Sequence, residues 1–557
     1  MLSRNRLALR VVFSAIALFA LAVLAGCGTN STTAMPPPTG GFTNSDLNGT
    51  YVFSATGTDV NGAPISFAGV FVANGSGGIA GTGGVLDVVD PDFDPAVSSA
   101  VAITGGTYNV GVDGRPASTG GLLNLVTSGG TFTFDFVIAS DQNGQIAYYS
   151  TNENYGGTGS GSYMLQSAVS QSNVDGQSYA FNVVGASVVS GTPFALAGAF
   201  TLDANGQVGV TTTGVEDVNN NNEAICGVAG CIITGGSINL ANTPGTAAFS
   251  TSAGTFTFDV YPIDATDLTF IETDGGYVTT GNAFTQSSSI PSGNNVFSMA
   301  GWDSTAGGPI TAVGLLATDG NGNVTTASAE DVNDFGDAGE VTGYSGTYAA
   351  VSGGRSLVTL TGFVKGDGGL GCSGCEFAAY PSTGGMILLE VDNDGFADGA
   401  AFLQSTSATT FASGAGYGMD LTGGNFSGEQ PVEEDDIVEF TNTTGALGGI
   451  IDFNDEGSTG FDEKYTSAYT ADTTVPGRGT VVGAASSSSY QNSYDMVTYV
   501  VDSSLSLGIV SDSTMVALGT LQTQASTGSS SSKVAVRHML IPRIPHVKGQ
   551  KAKRASH

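Results

Sequence analysis

The run EVDNDGFAD sets Asp392, Asp394 and Asp398 in a D-x-D-G-x-x-D pattern. Carboxylates alternating around a glycine turn can direct several oxygens at one hard cation, so these three residues are the candidate calcium ligands. The distant Glu of a full EF-hand loop is missing, and EDVNDFGDAGE (330–340) and DFNDEG (452–457) are weaker versions of the same chemistry. The competing reading is that Asp, Asn and Gly cluster here because they form turns. Two close cysteine pairs offer a second chemistry, Cys226/Cys231 in CGVAGC and Cys372/Cys375 in CSGC. The second pair spells C-x-x-C, but a redox thiol needs a helix N-terminus to depress its pKa. Its flanks, DGGLG and EFAAY, read as a glycine-rich turn and a strand. Both pairs are therefore expected to be structural disulfides, each closing a small loop. They lie in different repeats of the chain (below), which argues against a shared zinc site.

What the chain lacks narrows the rest. Its three histidines, His538, His546 and His557, all fall in the last 20 residues. Residues 28–525 contain none, which removes Ser-His-Asp and Cys-His catalysis and His-ligated metals from that body. All 49 Asp and Glu lie in the same stretch, against five basic residues, Arg115, Arg355, Lys365, Lys464 and Arg478, for a net charge of −44. A body this acidic has no face for nucleic acid. Paired carboxylates of the kind a glycosidase uses would occur by chance at this density, so spacing alone selects none. A single tryptophan, Trp302, offers no aromatic platform for sugars and is expected to be an ordinary packed residue. No catalytic residue and no organic cofactor is assigned.

The start of the chain is an address. Arg4, Arg6 and Arg10 precede a run from Val11 to Ala25 that is apolar apart from Ser14, a charged segment followed by a short apolar one. That is the layout of a secretory signal peptide and is short for a membrane-spanning helix. Leu24-Ala25-Gly26-Cys27 follows, and these four residues resemble the lipobox of bacterial lipoproteins. The resemblance implies cleavage before Cys27, lipid on its sulfur and acylation of its new amine, which together make a lasting membrane anchor. Gly28 stands where the family's inner-membrane retention signal would place Asp, so the resemblance points to the outer membrane. An exported chain meets an oxidising compartment, in keeping with two disulfides. Residues 27–46, with Pro36, Pro37 and Pro38, read as a tether that is flexible and then stiff.

Between the tether and a basic tail at 526–557, one unit recurs four times. The hexapeptide GTFTFD occurs at 130–135 and again at 254–259. Opening aromatic strands carry Tyr51, Tyr179, Phe297 and Tyr417, and closing elements carry Gln166, Gln286, Gln404 and Gln522. The middle elements read VLDVVD, GVEDVNN, SAEDVND and IIDFNDE. A period of about 120 residues is a whole domain, which divides the body into repeats at 47–167, 174–287, 294–405 and 412–525, strung like beads.

Within a repeat the period is two. Phe132, Phe134 and Phe136 alternate with Thr131, Thr133 and Asp135, a strand with an apolar inner and a polar outer face. With 84 glycines and turn signals such as VNGAP (60–64), NGSG (74–77) and VDGR (112–115), the chain suits short strands in antiparallel meanders. About eight strands per repeat bring first and last antiparallel, and only Lys365 and Lys464 are present to guard open edges. The expected fold is all-β: four tandem up-and-down barrels, with sandwiches or a propeller as the alternative. The body resembles the uncharacterised glycine-rich repeat lipoproteins of environmental bacteria, a likeness that implies no known activity. The expected role is binding, display or adhesion at the cell surface or the periplasmic face. Its partner would be a surface polymer or a small apolar ligand, and a carboxylate-based hydrolase or a calcium-stiffened adhesin is the alternative.

Overall fold

The computed structural model describes residues 41–525 apart from 93–95, 151–156, 210–211, 304–306, 365–370, 394, 408, 426–431, 456 and 486–493. Cys27, the tether and the basic tail fall outside the described residues. The body is all-β, built as four successive antiparallel sheets. In repeat 4 eight strands form a closed barrel, because the opening strand Gly416–Asn425 pairs both with Val432–Thr443 and with the last strand Met515–Thr523. Repeat 1 closes through Asn48–Asp59 against Pro64–Asn74 and Gly157–Leu165, and repeat 3 through Gly293–Asp303 against Gly308–Thr318 and Phe396–Leu403. In repeat 2 no pairing joins Pro193–Thr201 to the short strand Gln207–Val208, so that sheet is a half-closed barrel. The turn signals behave as their chemistry dictates. At VNGAP, Gly62 takes φ +71°, and the Asp59 carboxylate accepts the Asn61 and Ala63 backbone N–H groups at 2.8 and 2.7 Å.

The barrels are packed with rings. In repeat 1, Phe53, Phe67, Phe134 and Tyr148 meet with centroids 4.6–5.7 Å apart. Repeat 2 repeats this with Phe181, Phe249, Phe258 and Phe270. In repeat 3, Ala312 and Cys375 line the wall, and Phe363 from a loop fills the space against Phe297, Tyr344 and Phe377.

Three expectations are corrected by register. The glutamine that follows the last strand of repeat 4, as Gln166, Gln286 and Gln404 follow theirs, is Gln524, not Gln522, which sits inside strand Met515–Thr523. The partner of Tyr51, Tyr179 and Tyr417 in repeat 3 is Asn295, two positions before Phe297, because each of these four faces the residue just before the closing Gln. The largest difference concerns the beads. Pro193–Thr201 and Gly308–Thr318 are buried on both faces, the reason their sequences, PFALAGAFT and GPITAVGLLAT, do not alternate. Their outer faces pack on the next repeat, so the four repeats share cores instead of hanging on linkers.

Candidate functional site

Among the described residues the buried arginines, Arg115, Arg355 and Arg478, all stand where one repeat meets the next, facing buried aspartates. Each closing element adds one backbone bond to the following repeat: Ser167 N–H to the Ile263 carbonyl (2.8 Å), Ser287 to Pro381 (3.0 Å), Ser405 to Val501 (2.7 Å). The fourth, Ala525 N–H to the Ala139 carbonyl at 2.8 Å, returns to repeat 1. The repeats therefore contact one another in closed cyclic order, with four equivalent joints: 1–2, 2–3, 3–4 and 4–1. The closing glutamine works beside that bond. Gln166 donates to the Pro262 carbonyl (2.7 Å), Gln404 to Pro476 and Val500 (3.1 and 2.9 Å), and Gln524 to Asp113 and Ile138 (2.8 and 3.1 Å).

At the centre of each joint stands the Asp of the middle element. In joint 2–3, the Asp217 carboxylate is held by Arg355 through Nε and a terminal nitrogen (2.5 and 3.1 Å) and by the Tyr380 hydroxyl. In joint 3–4, Asp331 is held by Arg478 (2.8 and 2.7 Å) and by Tyr499 Oη (2.7 Å). Two-pronged Arg–carboxylate pairs of this kind are among the strongest polar contacts available to a protein interior. In joint 4–1, Asp452 pairs with Arg115, which also reaches Asp113 (3.0 Å) and Asp462 (3.1 Å) and lies over the Phe461 ring. There Val137 stands where repeats 2, 3 and 4 carry tyrosine. The Asp135 of GTFTFD is instead turned into the joint and buried. Its polar face meets another repeat, not water.

A second residue of the middle element also crosses the joint. Asn219 donates to the Glu390 and Gly395 carbonyls (3.1 and 3.0 Å), and Asn333 to Val510, Asp512 and Met515 (2.8–3.1 Å). Asn454 donates to Tyr148 and Gly157 (3.0 and 2.9 Å). Each amide ties off a turn of the next repeat, in a place where an unpaired carbonyl would be costly.

Joint 1–2 has the same layout and different residues. Asp87 is the central carboxylate, Tyr261 corresponds to Tyr380 and Tyr499, and Val89 replaces the crossing Asn. The ladder position opposite Tyr261, one beyond the Gly245–Val260 pair, belongs to Pro244, whereas in repeat 4 Arg478 faces Tyr499. The second copy of the hexapeptide brings Asp259 to face Asp87. Ser99 donates to Asp259 and the Ala100 N–H to Asp87. Around this pair the joint is apolar, with Val52, Val70, Val89, Met164, Ile271 and Val278.

These surroundings set the protonation states. Burial pushes the Asp87 carboxyl up to about 7, and the facing Asp259 adds to the effect. Burial also raises Asp135 well above the ordinary carboxylate range, helped by Asp452 and opposed by Arg115. For Arg115 itself burial disfavours the charge, but Asp452, Asp113 and Asp135 more than offset it. Inside the barrels, burial raises Glu216 to about 8 and Glu272 to about 9, so both carry a proton at neutral pH.

The residues expected from sequence fall as follows. Cys226 and Cys231 are joined, with Cα atoms 5.0 Å apart, and their loop supplies the Val228 carbonyl that accepts from Arg355 (2.9 Å). Cys372 and Cys375 are also joined, Cα atoms 5.8 Å apart, at the end of a repeat 3 strand. The two described members of the calcium candidate turn to different partners. Asp392 accepts the Glu376 N–H at 2.9 Å, while Asp398 lies in strand Phe396–Leu403, buried against Asn182 of repeat 2. Asp394 lies outside the described residues. Among the described residues no group of three or more His, Cys, Asp and Glu side chains is arranged to hold a metal ion. The weaker acidic runs prove to be joint elements: Asp331 and Asn333 come from the first, Asp452 and Asn454 from the second. Trp302 is half-buried in the opening strand of repeat 3, paired with Pro309.

No protein-family model and no curated protein matches the chain. Among solved structures, intact Ap-TbpB with its N and C lobes aligns at 9% identity and a TM-score of 0.19, covering 69% of this chain and 84% of that one. A mutant of the vaccine antigen Transferrin Binding Protein B from Haemophilus parasuis Hp5 aligns at 9% identity and a TM-score of 0.21, with the same coverage. At such TM-scores the likeness supports no inference about this chain.

Proposed function

We propose that this chain is an exported protein, lipid-anchored through Cys27 at the outer membrane, whose body is a stiff scaffold for display and binding and not for catalysis. The observation that carries this reading is where the buried charge goes. Arg115, Arg355 and Arg478 and the carboxylates facing them hold repeat to repeat. The barrel interiors are filled mainly with aromatic and aliphatic side chains, and the carboxyls buried among them, such as Glu216 and Glu272, keep their protons at neutral pH. Loops at the barrel ends are left as the surface for a partner, a surface polymer being the expected class. The same economy weighs against the hydrolase alternative, since Asp87, Asp135 and Asp452 are spent inside joints.

Metabolic labelling with an alkyne fatty acid, followed by fractionation and protease treatment of intact cells, tests the reading. The native chain should take up label, sediment with outer membrane and be trimmed from outside, and Cys27→Ser should lose both label and membrane association. Unlabelled native protein in the soluble fraction would overturn the anchor. Polysaccharide hydrolysis abolished by a single Asp or Glu replacement would move the assignment to a hydrolase.

A further inference from the structure

Four equivalent joints in one chain make an internal comparison possible. Three of them place a guanidinium on the central aspartate, at 2.5–3.1 Å or closer. In the fourth, Asp87 and Asp259 face each other, and no Lys or Arg contact to either occurs among the described residues. Asp87 is fully buried and Asp259 is 7% exposed. The Tyr261 hydroxyl is set against the Asp87 carboxyl, a neutral neighbour that brings no charge. Two ionised carboxylates are strongly disfavoured in such a space, because burial penalises both charges and no cation offsets their repulsion.

We propose that joint 1–2 is closed by a proton shared between Asp87 and Asp259, held where the other three joints hold an arginine, and that loss of this proton opens the cycle of repeats at that joint. The groups facing the pair are Tyr261 on its own strand with Asp259, and Ser99 and the Ala100 N–H from repeat 1. None of them supplies a positive charge. The other crossing contact is also missing here, since Val89 replaces the asparagine that ties the remaining joints. Apolar packing, the Gln166 and Ser167 bonds and the Ser99–Asp259 bond are then what holds these two repeats once the pair is ionised.

The direction follows from linkage. In the closed joint Asp87 keeps its proton up to about pH 7, whereas in an opened, hydrated joint it would release it near 4. The closed form is therefore favoured at acid pH. It weakens as pH rises through that window and changes no further above it.

Hydrogen–deuterium exchange of the full mature chain at pH 5.5 and pH 8, corrected for intrinsic amide rates, reads this directly. Peptides from strands Gly84–Val89 and Tyr277–Thr285 should lose protection on the order of tenfold at pH 8. Peptides from Ser373–Ser382, the Tyr380 strand at joint 2–3, should not change. Asp87→Asn should remove most of the response and Asp259→Asn part of it, both keeping the fold, since the first deletes the buried titrating carboxyl and the second only the charge facing it. Equal pH responses at joints 1–2 and 2–3, or an undiminished response in both variants, would overturn the proposal. So would restoration of protection at pH 8 by millimolar calcium in the native chain, which would make the occupant a metal ion.

Discussion

Joints 4–1 and 1–2 begin from the same sequence and end with opposite electrostatics. Each receives one copy of GTFTFD, so each buries a second carboxylate, Asp135 or Asp259, against the Asp of the middle element. In joint 4–1, Arg115 stands among Asp135, Asp452 and Asp113, and the cluster is compensated. In joint 1–2, Pro244 occupies the arginine's ladder position and the pair must keep a proton. The comparison shows that a buried acidic pair is tolerated in two ways, by importing a guanidinium or by staying neutral. In the first the guanidinium keeps its charge across the physiological range, and in the second only a proton is present, which can leave.

The heaviest blow to this contrast is Arg115→Ala. Removing one partner of a buried pair leaves its carboxylates uncompensated, which costs about 3–5 kcal/mol. The expected result is a sharply lowered melting temperature at pH 7 with partial recovery at pH 5, where Asp135 and Asp452 can both be neutral.

Next in size is the pH dependence of joint 1–2. Asp87 binds a proton in the folded chain that the unfolded chain gives up near 4. Stability is therefore full below that value and declines by about 1–3 kcal/mol as pH rises to about 7. Urea titrations should show Asp259→Asn more stable than the native chain at pH 8 and nearly equal to it at pH 4.

Asn333→Ala removes the donor to three carbonyls across joint 3–4, a loss of about 1–3 kcal/mol. Chemical denaturation of this variant should show a lower midpoint at every pH, unlike the titratable pair. The smallest change belongs to Asp462→Asn. Asp462 is 54% exposed, and its contact with Arg115 is screened, so the melting curve should move by the equivalent of about 0.5 kcal/mol or less.

The barrels themselves were legible in the chain. Alternation in TFTFDF, the Asn-Gly turns and the recurring closing elements follow from contacts between neighbours in sequence, and each needs only a few residues to be recognised. The joints were largely hidden. Asp135 and Asp259 read as solvent-facing because an alternating strand says which face is polar, not what covers it. A signal was nevertheless present. PFALAGAFT and GPITAVGLLAT fail to alternate, as strands covered on both sides do, and Arg115, Arg355 and Arg478 are rare cations at matching places in three repeats. Their partners are 337, 138 and 147 positions away, and nothing local in the sequence specifies pairing at that range. The acidic runs were misleading for a related reason. DVND has the composition of a turn or an ion loop, and only its register on the sheet turns Asp331 and Asn333 towards repeat 4.

The bond from Ala525 back to Ala139 has a consequence for the two ends of the four-repeat body. Gly41 and Phe42 donate to the Val112 carbonyl, and Gln524 donates to the Asp113 carbonyl. A side chain on Gly114 would touch both Phe42 and Gln524. First and last residues of the body thus share one loop of repeat 1, and a short peptide could splice them. A circular permutant joined there and cut between repeats 1 and 2 would keep the other three joints as covalent neighbours or arginine-held contacts. New termini would then flank the one interface that has no arginine among the described residues.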